Sequence, residues 1–131
     1  MSSNETRALQ AAVALASLVP IGAGAIGILV GPRMMGTAVV GSADLDSHFR
    51  YLSGLLLAIG IGFASTIPRI EARKGRFRLL AGVVVVGGLG RLLSLLTTGV
   101  PSATMTAALV MELLVTPGLV LWQHRVARRK H

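Results

Sequence analysis

Two ionisable side chains stand inside long apolar stretches of this sequence. Arg91 has 12 uncharged residues before it and 20 after it, and Glu112 has 12 after it. A charge at mid-membrane costs at least about 2.5 kcal/mol on insertion scales, so one that persists there marks a task or a partner. The chemistry open to this pair is an internal ion pair, a guanidinium that binds an anion, or a carboxylate that carries a proton. Their spacing bears on the choice. The cluster Thr97-Thr98-Gly99-Val100-Pro101-Ser102 reads as a turn between two helices. Arg91 lies about ten residues before its centre and Glu112 about eleven after, so at ~1.5 Å per residue they reach similar depths in antiparallel neighbours. A buried Arg91–Glu112 pair is expected, each residue supplying the other's counter-charge. Gly87, Gly88 and Ser94 share the Arg91 face, and Ala108 and Thr116 share that of Glu112. The pair then either fixes helix register alone or lines a polar pocket, and the residues leave both open.

A second polar group precedes the second apolar run: Asp44, Asp46, His48, Arg50 and Tyr51. On an extended backbone Asp44, Asp46 and His48 would share one side, as a weak metal site requires. Against this, Asp before a helix is a good cap, and one histidine with two carboxylates has no diagnostic spacing. No metal and no cofactor is assigned. His48 and His124 are expected on opposite membrane sides, which removes histidine-assisted nucleophilic catalysis. With no cysteine in the chain, thiolate chemistry and disulfides are excluded. Acid–base work on a lipid through Glu112 is the weakest enzymatic reading, because a carboxylate beside Arg91 is held in the wrong state for an acid.

The elements that must position these residues follow from the distribution of charge. Only 14% of the 131 residues are charged and 53% are apolar, against about 25% charged in soluble domains. The charges leave uncharged intervals of 25, 18, 12, 20 and 12 residues, and a helix needs ~20 apolar residues to cross a bilayer. The expectation is an all-α integral membrane protein, a four-helix transmembrane bundle forming one domain over 1–131, with spans at about 8–30, 51–67, 79–96 and 103–122. Ala23-Gly24-Ala25 resembles a signal-peptide cleavage site. The apolar run continues to Val30, however, so the first span is expected to be retained.

Basic residues resist translocation. Five lie between Arg69 and Arg78 and four between Arg125 and Lys130, whereas the other side carries only Arg33 and Arg50, offset by Asp44 and Asp46. Both termini are expected in the cytoplasm, with Trp122 as an interfacial anchor. Binding of anionic lipid headgroups is the alternative reading of the basic tail. The net charge of +8 comes with only 4% aromatic residues and no basic stripe on a polar surface, so nucleic acid is not expected as a partner.

Close approach through small residues drives much of helix association in lipid. Gly54, Ala58, Gly62 and Thr66 recur every four residues in span two, and Gly87 and Gly88 bunch in span three. They serve either packing within the chain or docking on a second copy or a larger membrane protein complex. Pro20 and Pro117 remove intrahelical hydrogen bonds, so kinks or local openings are expected there.

With these marks the chain resembles a bacterial family of small four-helix membrane proteins, domain of unknown function 4345. The resemblance rests on Arg50-Tyr51-Leu52-Ser53-Gly54, on Gly90-Arg91-Leu92-Leu93-Ser94-Leu95 with Gly99 and Pro101, and on Glu112-Leu113-Leu114 followed by Pro117. It spans about residues 49–121 and implies a multi-pass protein of the bacterial inner membrane in which Arg50, Arg91 and Glu112 are the positions to watch. It brings no activity with it. The leading functional expectation is a non-enzymatic accessory or structural subunit, docking through its small-residue faces. The alternative is a transporter or binder of a small apolar or anionic ligand around Arg91, Glu112 and Arg50. In size, span number and membrane glutamate the chain is similar to small multidrug exporters, from which it departs by carrying that glutamate in the fourth span.

Overall fold

The computed structural model describes residues 2–36 and 41–130, without the side chains of 2, 3 and 130. The described chain is all-α. Helix α1 (Ser2–Val30) runs into a 3-10 turn (Gly31–Met35), and α2 (Ala43–Ala64) is followed by a short 3-10 turn (Ile67–Arg69). Helix α3 (Lys74–Thr98) precedes α4 (Ala103–Val110), a π-helical turn (Met111–Val115) and α5 (Thr116–Lys130), the last three running on without a break.

The boundaries have local causes. Ser42 caps α2, its hydroxyl accepting from the Leu45 N–H at 3.2 Å, and Asp44 and Asp46 lie in the first turn, where carboxylates complement the helix dipole. Helix α2 therefore begins eight residues before Tyr51, where the sequence put the start of span two. Charges mark where a helix leaves hydrocarbon and not where it ends; α1, α3 and α5 overrun their expected spans for the same reason. Helix α3 stops at Gly99, whose φ of 119° suits a glycine. Ser102 then starts α4, accepting from the Met105 N–H.

Four continuous helical segments are long and apolar enough to cross a membrane: residues 4–35, 43–69, 74–98 and 103–129. The shortest, at 25 residues, rises about 37 Å at ~1.5 Å per residue and spans a hydrocarbon core of ~30 Å. No more than 22% of any apolar window is buried, so the apolar side chains point outward. Lipid is the solvent for that surface, and the chain is a multi-pass membrane protein.

Two compact units make up the chain, one of residues 11–67, the other of residues up to Gln10 with those from Pro68 onward. In the first, α1 meets α2 through glycine. A Cβ on Gly24 would lie 2.6 Å from the Leu57 nitrogen and 2.7 Å from the Ser53 carbonyl oxygen. One on Gly27 would lie 2.7 Å from the Ser53 Cβ, and one on Gly60 2.9 Å from the Ile21 nitrogen. Pro20 stays within α1, its ring opposite Gly60. The close seam on α2 is thus Ser53, Leu57 and Gly60. The stripe of Gly54, Ala58 and Gly62 is turned about 130° from it: Ala58 is exposed, and a Cβ on Gly54 would meet only Ile28 Cδ1, at 3.9 Å. Four-residue spacing identified a flat face but not the face that meets α1.

The second unit buries Leu9, Ile70, Phe77, Ala81, Val126 and Ala127. Gln123, fully buried, donates to the Ile70 carbonyl at 2.8 Å, satisfying a backbone acceptor beside Pro68 that no helix serves. Further along α3, a Cβ on Gly88 would lie 2.8 Å from Leu113 Cδ2 and 2.9 Å from Glu112 Cβ. Gly88 is therefore a close-packing position. Gly87 is not one, since a Cβ there would meet nothing within 4 Å.

Candidate functional site

Helix α3 supplies Arg91 and the π-helical turn supplies Glu112. Arg91 Nε lies 2.8 Å from Glu112 Oε1, with the two side chains 36% and 18% exposed. Arg91 Nη1 also donates to the Met105 sulfur at 3.1 Å, a weak acceptor in the first turn of α4 that no spacing or charge pattern singles out.

The π turn is the device that presents Glu112. Pro117 has no N–H for an α-helical bond to Leu113, and in a regular helix its ring would collide with the Leu113 carbonyl. Widening the preceding turn by one residue relieves that collision. The Thr116 N–H bonds to the Met111 carbonyl five residues back, and the Thr116 hydroxyl donates to the same oxygen at 2.9 Å. The widened turn brings both Glu112 and Leu113 against α3, where only a glycine at 88 leaves room. Single π turns inside α-helices occur frequently at functional sites. The sequence signal for this one was Pro117 five residues after Glu112; the opening expected at Pro117 takes this form.

Chemically the pair is a neutralised charge in a mid-span position. A guanidinium offers five N–H donors; among the described residues Arg91 Nε stands at ion-pair distance from Glu112 and Nη1 donates to the Met105 sulfur. Its further donors suit an acceptor such as a carbonyl, carboxylate or phosphate oxygen.

Arg50 belongs to a different arrangement, within residues 11–67. Its Nε lies 2.8 Å from Asp46 Oδ1, and Nη1 donates to the carbonyls of Ile28 at 2.6 Å and Leu29 at 3.4 Å. These are among the last carbonyls of α1, which lack partners inside the helix. Arg50 therefore clasps the C-terminal end of α1, and Gly31, with φ 78°, leaves it space: a Cβ there would lie 2.7 Å from Nη2. Beside the clasp, Val30, Pro32, Arg33, Gly41, Asp46 and Arg50 line a cavity of about 70 Å³, room for a few waters. Asp44, His48 and Tyr51 are exposed. The alternation imagined for Asp44, Asp46 and His48 does not occur, because Ser42 starts the helix before them. At ~100° per residue Asp46 turns about 160° away from Asp44, whereas His48 comes back to within about 40° of it, and Asp46 alone of the three is taken up, by Arg50.

In the unit holding residues from Pro68 onward, Glu5 pairs with Arg125 at 3.3 Å and with Arg129, and Arg78 Nη2 stands 2.6 Å from His124 Nδ1.

The family model described as "Domain of unknown function (DUF4345)" matches residues 8–123, taking in the first span as well as the regions around Arg50, Arg91 and Glu112. No curated protein and no solved structure matches the chain.

Proposed function

The chain belongs to the family described as Domain of unknown function (DUF4345), and from that premise we propose that it is a non-enzymatic accessory or structural protein of the bacterial inner membrane. It works by lateral docking on a second copy or on a larger membrane complex, with both termini in the cytoplasm. The orientation is supported by the nine basic residues between Arg69 and Arg78 and between Arg125 and Lys130.

The observation that carries the docking reading is the outward face of α3. Gly82, Gly87 and Gly90 are exposed, and a Cβ on any of them would meet nothing within 4 Å. They fall within an arc of about 140° on α3, together with the exposed Leu79, Val83, Val86 and Leu93. Glycine in a helix interior costs ~1 kcal/mol relative to alanine, and here the chain's own packing returns nothing for it. Close approach of another helix does. Purification in native lipid particles tests this. Wild type is expected to run at a mass above that of one chain, and Gly90→Leu, which fills the face with a branched side chain, at that of one chain. A wild type of single-chain mass with no companion protein defeats the reading.

A second reading, a binder or transporter of a small apolar or anionic ligand, is favoured by one feature: the π turn that holds Glu112 beside an arginine with donors to spare. Glu112→Gln leaving ligand binding and proton coupling unchanged would remove it.

A further inference from the structure

Beyond lateral docking, a distinct site lies where α5 leaves the membrane. His124, Arg125, Arg128 and Arg129 line one open cleft of about 340 Å³. Positions i, i+1, i+4 and i+5 form two adjacent rows of a helix face, so the four side chains converge. Glu5 touches the cluster from outside the lining, its Oε1 3.3 Å from Arg125 Nε and its Oε2 on Arg129 Nη1. That leaves each guanidinium with several of its five donors while holding the two forks side by side. Arg78 adds a fourth guanidinium through its 2.6 Å contact with His124 Nδ1. Since arginine has no acceptor, Nδ1 accepts and the ring's Nε2 becomes a further donor. Four guanidinium charges against the single Glu5 carboxylate leave a surplus of three.

The surface on the membrane side of these charges is apolar and open. Leu121 is 71% exposed and shares a row with Arg125 and Arg128, and a Cβ on Gly118 would meet nothing within 4 Å. Trp122 stands between the apolar and basic stretches, at the depth where indole rings favour the interface. A donor-lined cleft directly above an open apolar strip matches an amphiphile with an anionic head, and a free anion would make no use of the strip. We propose that this cleft seats the phosphate of an anionic phospholipid, with its acyl chains along Leu121 and Gly118. A basic cleft at the membrane surface is suited to such headgroups.

The test is native mass spectrometry of the full chain, equilibrated in micelles with phosphatidylglycerol or phosphatidylcholine. Wild type is expected to retain phosphatidylglycerol in preference to phosphatidylcholine. Arg128→Gln, which leaves the Glu5 pairs intact, is expected to lower that retention about fivefold, the worth of one basic residue at an anionic surface, and Arg128→Lys to restore most of it. Arg33→Gln removes the same charge from the connection between α1 and α2 and is expected to leave retention unchanged. Equal retention of the two lipids, or equal loss in Arg33→Gln and Arg128→Gln, overturns the site. Displacement of the lipid by soluble glycerol phosphate overturns the lipid assignment in favour of a free-anion site.

Discussion

Glu112→Leu is expected to lower the stability of the protein in micelles or bilayers by about 3 kcal/mol, the low end of the range for removing one member of a buried pair. The low end applies because the Arg91 side chain is 36% exposed and part of its charge can reach polar surroundings by snorkelling. The cost arises from what is left behind: an arginine in mid-span with the Met105 sulfur as its remaining acceptor. Arg91→Leu leaves the converse, a carboxylate against Gly88 and Leu113, and is expected to cost a similar amount. The double variant Arg91→Leu/Glu112→Leu removes both charges and is expected to lie within about 1 kcal/mol of wild type, since a buried pair and an apolar replacement of similar volume are near balance. A coupling energy of ~2 kcal/mol or more from thermal unfolding of the four proteins is the signature. Additive losses would show that each residue is held by something other than its partner.

The second large effect concerns the α1–α2 seam. Gly24→Ala places a methyl group 2.6–2.8 Å from the nitrogen and Cα of Leu57 and the carbonyl of Ser53, all backbone atoms of a neighbouring helix, so no rotamer change can absorb it. Overpacking of this kind costs ~1–3 kcal/mol, and the upper half of that range is expected because α2 must shift as a body. Gly22→Ala, two residues earlier, is the control: nothing lies within 4 Å of its added methyl, and alanine's higher helix propensity is expected to leave stability unchanged or raise it by up to ~1 kcal/mol. Unfolding curves of the two variants should therefore move apart, and similar curves would contradict the seam. Gly54→Ala, on the stripe the spacing had favoured, is expected to behave like Gly22→Ala, its nearest contact being 3.9 Å away.

These variants also show what could be read from the residues. Apolar length and charge-free intervals depend on the solvent and not on tertiary detail, so the four spans were visible, although α2 begins at Ala43 because Ser42 and two aspartates favour a helix start there. The meeting of Arg91 and Glu112 followed from counting outward from Gly99-Val100-Pro101, because antiparallel helices joined by a short turn match depth residue for residue. Rotation about the helix axis was not visible. Depth does not say which glycine of Gly87 and Gly88 faces Glu112, nor that the seam on α2 runs through Ser53, Leu57 and Gly60. The π turn shifts the phase of everything after Val115 and has no periodic signature; only the absent N–H of Pro117 pointed to it. The family resemblance makes Arg50 a position to watch, but its role as a clasp on the end of α1 depends on the turn at Gly31, which charge counting does not reveal.

Because the chain has no cysteine, a single one can be placed on either side of α3 to test the docking claim in membranes that have not been solubilised. Gly82→Cys, Gly87→Cys and Gly90→Cys stand on the outward face, and Ala81→Cys, on the buried face, serves as the comparison. The measurement is the yield of crosslinked product after brief oxidation and after treatment with a short bifunctional reagent. Lateral docking predicts products of defined mass, a second copy or one membrane partner, from the three outward positions and none from Ala81→Cys. Outward positions that yield no product, or a spread of products matching those from Ala81→Cys, would mean that this face meets only lipid.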